Sequence, residues 1–188
     1  FSNSSDVHIG PISIGMHFNP YGESLVSNKN KIRLEMADSD PRHDQLFSLT
    51  WTLAIFIQSI NKESKFFTFN SIYGHHGILN KDNTKRPLYH LNNFLISLTN
   101  SEIFKFNPVN EVYGLKIVLN DKKYYLFVNS SKQKKEIIIP EINFSNQYKL
   151  NLNNYTDIFN NDFSFFNFKN DTSPYTFEPL EIKFIEDK

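Results

Sequence analysis

The spacing of hydrophobic and polar positions changes along the chain. Residues 7–16 form an apolar, β-branched run interrupted by Gly10 and Pro11, which predicts a buried strand ending at Gly15. Asn19-Pro20 and Tyr21-Gly22 are turn formers, and a polar loop continues through residues 28–31. Ser39-Asp40-Pro41-Arg42 marks a helix start. Asp40 is placed to cap free N–H groups, and Pro41 fits the first helical position, where no N–H is needed. Residues 43–60 carry Leu46, Phe47, Leu49, Trp51, Leu53, Ala54, Ile55, Phe56, Ile57 and Ile60. Apolar side chains occupy nearly the whole circumference of the second half, so the helix is expected to be covered on most sides. Residues 65–70 predict a second strand, and residues 71–85 a long loop containing Gly74-His75-His76-Gly77. Arg86-Pro87 opens a second helix to about Leu98, with Leu91, Phe94, Leu95 and Leu98 at helical spacing.

From Glu102 onward the period is that of strands. Residues 112–119 and 123–128 predict a hairpin through Asn120-Asp121, and residues 136–139, 148–152, 163–168 and 180–185 predict further strands. Short strands at this density predict an antiparallel β-sandwich over residues 102–188. Residues 1–101 read strand–helix–strand–helix. Parallel strands need helices on both faces, and a closed barrel takes about 250 residues. The fold class is therefore α/β plus all-β: the last βα units of a (β/α)8 TIM-type barrel, followed by a C-terminal antiparallel β-sandwich. Because the chain opens at Phe1 rather than Met, it is expected to be the C-terminal part of something longer. Within the first part alone the apolar helix around Trp51 is expected to lack neighbours. A truncated barrel is also expected to expose apolar surface and to be inactive by itself.

Composition narrows the function classes. Among 188 residues, 20 basic and 20 acidic side chains cancel, which argues against nucleic acid as a partner. The absence of cysteine excludes disulfides, thiolate metal sites and a Cys nucleophile. No apolar run approaches the ~18 residues that span a bilayer, so no membrane partner is expected and the reading is cytoplasmic. Five Asn-x-Ser/Thr sequons, at Asn3, Asn129, Asn143, Asn154 and Asn170, are attributed to the abundance of asparagine.

In a barrel, the reacting groups lie on the loops after the strands. The first such loop offers His17, Asn19, Tyr21 and Glu23, and the second offers Tyr73, His75 and His76. His75-His76 lacks a third ligand at suitable spacing, so no metal and no other cofactor are expected. There is no G-x-S-x-G elbow for a serine nucleophile. Retaining glycosidases need two close carboxylates, yet the first strand ends in Gly15-Met16-His17. Three readings stay open: a sugar-lactone hydrolase, a glycoside hydrolase fragment whose carboxylates lie on other strands, and a non-catalytic carbohydrate-binding module with Tyr124, Tyr125 and Tyr148 as stacking platforms. The oligomeric state is left open.

Four ordered blocks carry a family likeness: I-G-P-I-S-I-G-M-H-F-N-P-Y-G at residues 9–22, M-A-D-S-D-P-R at 36–42, L-F-S-L-T-W-T-L-A at 46–54, and R-P-L-Y-H-L at 86–91. Together they resemble the C-terminal half of the D-apionate lactonase family. The resemblance implies a barrel with a C-terminal β-domain and hydrolysis of a small-molecule sugar lactone, D-apionolactone to D-apionate, in bacterial apiose breakdown. Opening a lactone requires an activated water and stabilisation of the oxyanion. On loop placement, one of His17, His75 and His76 is expected to act as base or donor, with Asn19, Tyr21 and Tyr73 holding sugar hydroxyls.

Overall fold

A computed structural model describes residues 7–14, 30, 40–61, 64–74, 76–138, 142, 144–156 and 175–187. Strand β1 (Val7–Ile12) pairs in parallel with β2 (Ser64–Phe69), and the connection between them includes helix α1 (Leu46–Ser59). After β2 comes α2 (Pro87–Ser97), so the described first part is two βα units. Gly10 sits where any Cβ would come within 2.5 Å of the Thr68 carbonyl oxygen, so a side chain there would prise the two strands apart.

The expected helix start is present, but the helix is split. Residues Pro41–Asp44 form a 3-10 turn whose cap, Asp40, accepts from the Arg42 backbone N–H at 2.9 Å. Gln45 is extended (φ −114°, ψ 164°) and its N–H bonds the Arg42 carbonyl, so the α-helix proper begins at Leu46. The Arg42 guanidinium pairs with the same carboxylate and holds the Asp40 carboxyl down at about 2. The α2 start follows the same logic, with Pro87 in the first turn.

The second part is a five-stranded antiparallel sheet in the order β3 (Glu102–Lys105), β4 (Val112–Leu119), β5 (Lys122–Asn129), β9 (Ile182–Asp187), β7 (Phe144–Leu150). The hairpin between β4 and β5 turns through Asn120 and Asp121, both with positive φ (50° and 62°), as a two-residue turn that follows the strand twist requires. Strand alternation sends Leu115, Ile117, Tyr124, Leu126, Val128, Ile182 and Phe184 to one face. These join Leu49, Leu53, Phe56, Ile57, Leu88, Leu91 and Phe94 of the two helices in a single core, with the Phe94 and Phe184 rings edge-on at 5.5 Å. Phe56 meets Phe67 and Phe69 of β2 on the same helix's other flank. Each fully buried Leu of this set contributes about 1.5–3 kcal/mol relative to exposure. The helix around Trp51 therefore does not lack neighbours. The β-sheet, which sequence reading placed in a separate unit, covers it.

The opposite face of the sheet carries Val112, Tyr125, Phe127 and Ile185, and buries them with Ile137, Ile142 and Phe177. Phe177 belongs to β8 (Thr176–Phe177), which pairs with β6 (Lys135–Glu136) as a two-stranded ribbon. Among the described residues the second layer is that ribbon, so the expected sandwich is represented by one full sheet and a partial partner. Strands β3 and β8 have no counterpart in the sequence reading, being too short to show a period. The strand expected at residues 163–168 lies outside the described residues. Tyr124 and Tyr125 are each 7% exposed, which removes them as sugar-stacking platforms. Asn129 is fully buried and its side chain bonds the Gln133 and Glu178 carbonyls, so that sequon cannot be modified in the folded chain.

Strand β1, expected to be buried and to run to Gly15, instead ends at Ile12 and is mostly exposed, because the β1–β2 pair turns one face outward: Phe66 is 63% exposed, and the exposed His8 bonds the Thr68 hydroxyl at 2.7 Å. No helix of the described residues is long and apolar enough to cross a membrane.

Candidate functional site

In a βα unit the strand's C-terminal end and the next helix's N-terminus share one side of the sheet. Here that side carries the ends of β1 and β2, the Pro41–Asp44 turn, and the loop from Asn70 to Arg86. The loop is built by its own backbone. Ile78 N–H bonds the Ser71 carbonyl, Leu79 N–H the Ile72 carbonyl, and Arg86 N–H the Ile78 carbonyl, so the chain doubles back before α2. Gly77 is required at the closest approach, since a Cβ there would lie 2.5 Å from the Tyr73 carbonyl carbon.

Two histidines tie this loop to its surroundings. His76 Nδ1 lies 3.1 Å from the Ile14 carbonyl oxygen, just past the end of β1. A carbonyl can only accept, so Nδ1 carries the proton and, in the neutral ring, the lone pair is on Nε2. His43 Nε2–H donates to the Gly77 carbonyl at 2.9 Å across the gap between the α1 start and the loop. The two imidazoles meet edge-on, with centroids 6.2 Å apart. His43 is 1% exposed, and its Nδ1 has no hydrogen-bond partner among the described residues. Burial pushes the His43 pKa below its usual 6.5; the Gly77 bond and Asp44 oppose that shift, while Arg86 and His76 reinforce it. The ring is neutral at pH 7.

Charged groups surround the pair. Arg86 Nε donates to Asn80 Oδ1 at 2.7 Å and lies 3.5 Å from Asp44 Oδ1. An open cleft of about 410 Å³ is lined by Gly74, Asn80, Lys81, Asp82 and Arg86. Asp82 accepts from the Thr84 backbone N–H and hydroxyl, bonds that lower its pKa. At the foot of the loop, Asn70 is 9% exposed, adopts φ 54°, and hands its backbone N–H to the Ile12 carbonyl.

Of the residues expected from sequence, the structure places His76 in this cluster and Tyr73 on the same loop, 56% exposed. His17, Asn19, Tyr21, Glu23 and His75 lie outside the described residues. His43, Asn70 and Arg86 come to this side of the sheet without having been singled out. His43 reads as a helix residue, and only its position in the first turn after the Asp40 cap signals that it sits at a helix start on the strand-end side. Among the described residues no three His, Asp or Glu gather as a metal-binding set. The cluster brings together an imidazole of fixed tautomer, a neutral buried imidazole edge-on to it, and Arg86 close enough to lower the pKa of the buried ring. That set suits addition of water to a carbonyl.

A family model for the D-apionate lactonase TIM barrel domain matches residues 1–100. A D-apionate lactonase from Brucella anthropi is 34% identical over 87 residues, covering 43% of this chain and 14% of that protein. Among solved structures, a GH30 endoxylanase from Clostridium papyrosolvens C71 is similar with a TM-score of 0.50 at 9% identity, over 80% of this chain and 39% of that one. At that identity the likeness is one of fold. The chain spans well under half the length of either relative.

Proposed function

The chain belongs to the D-apionate lactonase family through its TIM barrel domain, and on that premise we propose that it forms part of a sugar-lactone hydrolase, opening D-apionolactone to D-apionate. The observation that carries the reaction class is the family match over residues 1–100. The relative named D-apionate lactonase supports the substrate, and the histidine cluster at the strand ends supplies groups suited to the step. In this reading β1 and β2 close a barrel with further strands, and the antiparallel sheet and its ribbon are part of a C-terminal β-sandwich.

His76 is the base. Its Nδ1–H is held by the Ile14 carbonyl, which keeps the lone pair of the neutral ring on Nε2 as the atom that meets the water. Nε2 takes a proton from water as the oxygen adds to the lactone carbonyl. The tetrahedral oxyanion then collapses with cleavage of the ring C–O bond, and the proton returns to the departing alkoxide. The product is a hydroxy acid, which ionises at neutral pH. His43 is a positioning residue: by holding the Gly77 carbonyl it fixes the neighbouring residue, His76, against β1.

The test is lactone opening followed by pH-stat in the intact protein that carries this chain. His76→Ala is expected to lower kcat by about 10²–10⁴-fold, the usual range for a lost general base. Activity within a few-fold of the parent would remove His76 from the mechanism. A parent inert towards five-carbon aldonolactones would remove the reaction class.

A further inference from the structure

We propose that Asn70 is the carbonyl-binding residue of this site: its Nδ2 donates to the lactone oxygen as that oxygen becomes an oxyanion, and its Oδ1 accepts from the hydroxyl next to the carbonyl. The inference rests on the lactone-hydrolase reading and names the group within it that reads the substrate.

Asn70 is unlike the other asparagines that adopt a left-handed backbone. Asn83, Asn100, Asn110 and Asn120 also have positive φ, and all four are exposed, where water satisfies their amides. Asn70 is buried, and neither Nδ2 nor Oδ1 has a hydrogen-bond partner among the described residues. A desolvated amide with both halves unpaired is a standing cost to the fold, and such costs persist where a ligand supplies the missing bonds. A carboxamide offers one donor edge and one acceptor edge side by side. A carbonyl flanked by a hydroxyl presents the complementary pair, which defines the ligand class as a 2-hydroxy lactone.

Placement relative to the base is the second observation. Asn70 hands its backbone N–H to the Ile12 carbonyl, and His76 hands Nδ1–H to the Ile14 carbonyl, two residues further along the same chain end. Ser71 and Gly77 form a parallel bridge, so the residues preceding them, Asn70 and His76, lie side by side across it. An oxyanion donor and a water-activating base must flank one carbonyl carbon from neighbouring positions, and this bridge provides two such positions.

The experiment compares Asn70→Gly and Asn70→Asp with the parent in the intact protein, measuring kcat, KM and Tm on a 2-hydroxy aldonolactone. Glycine adopts the left-handed backbone freely, so Asn70→Gly is expected to keep the parent Tm within a few degrees while kcat falls about 10²–10³-fold, the loss typical of one oxyanion donor. Asn70→Asp keeps the shape, removes the donor and adds repulsion, so it is expected to lose at least as much. An Asn70→Gly protein with kcat within threefold of the parent would overturn the proposal and leave the lactonase reading standing. Should Asn70→Gly fail to fold, parent-like kcat in Asn70→Asp would overturn it equally. A parent without lactone opening overturns both readings.

Discussion

Lys183 is fully buried on β9, yet its ammonium donates to the Thr176 carbonyl of the ribbon and lies 4.6 Å from the Phe177 ring centroid. Burial pushes its pKa down from 10.5 to about 8; Glu181, 3.9 Å away, and Glu178 pull it back up, and Lys149 lowers it further. The unfolded chain therefore binds more protons than the folded one between about pH 8 and 10.5, so stability rises with pH across that window. At about 1.36 kcal/mol per pH unit, the gap amounts to about 3 kcal/mol of stability present above pH 10.5 and absent below pH 8. Lys183→Met removes the titrating group. Glu181 keeps the Glu178 backbone N–H at 2.8 Å and Asn151 Nδ2 at 3.4 Å, so its carboxylate retains partners in the variant. The assay is urea unfolding of parent and variant from pH 7 to 10.5. Groups other than Lys183 are common to both proteins, so the difference between the two curves is the readout. The parent is expected to gain about 3 kcal/mol relative to Lys183→Met across the window. Parallel curves would refute the argument that the buried ammonium is held at the cost of its proton.

Gly77→Ala forces a Cβ against the Tyr73 backbone and the Ile72 carbonyl oxygen at 2.5–2.8 Å, so the loop shifts and stability falls by about 1–3 kcal/mol, read as a lower Tm. The same variant is expected to loosen the His43 bond, visible as a movement of the His43 ring resonances towards those of a solvated imidazole. Asp40→Ala removes the cap of the Pro41–Asp44 turn and is expected to cost about 0.5–2 kcal/mol by denaturant unfolding at pH 7. The folded Asp40 carboxyl sits at about 2, below the ordinary 3.8, so its contribution is complete above pH 3.8 and fades as pH falls through 2. Parent and variant should converge at the acid end; a constant difference down to pH 2 would show that the carboxylate charge is not what caps the turn.

Much of the local structure follows from residue type and spacing alone. The Asp40-Pro41 start, the Arg86-Pro87 start and the Asn120-Asp121 turn each depend on backbone groups within a few residues, and each appears where the sequence puts it. The two parallel strands follow from their β-branched and aromatic runs. The site was legible in one part: a histidine on the loop after β2 is visible in any strand–loop–helix reading, and His76 is there. Periodicity shows which residues of α1 are buried and is silent about what buries them. It took the tertiary structure to lay β4, β5 and β9 across the helices and merge what reads as two units into one core. His43 and Asn70 were hidden for the same reason. Their roles depend on a carbonyl 34 residues away in the first case and on a left-handed backbone with an unpaired buried amide in the second. Short-range chemistry is written in consecutive residues, whereas contacts between distant segments are set by how whole faces pack, and no local pattern encodes their register.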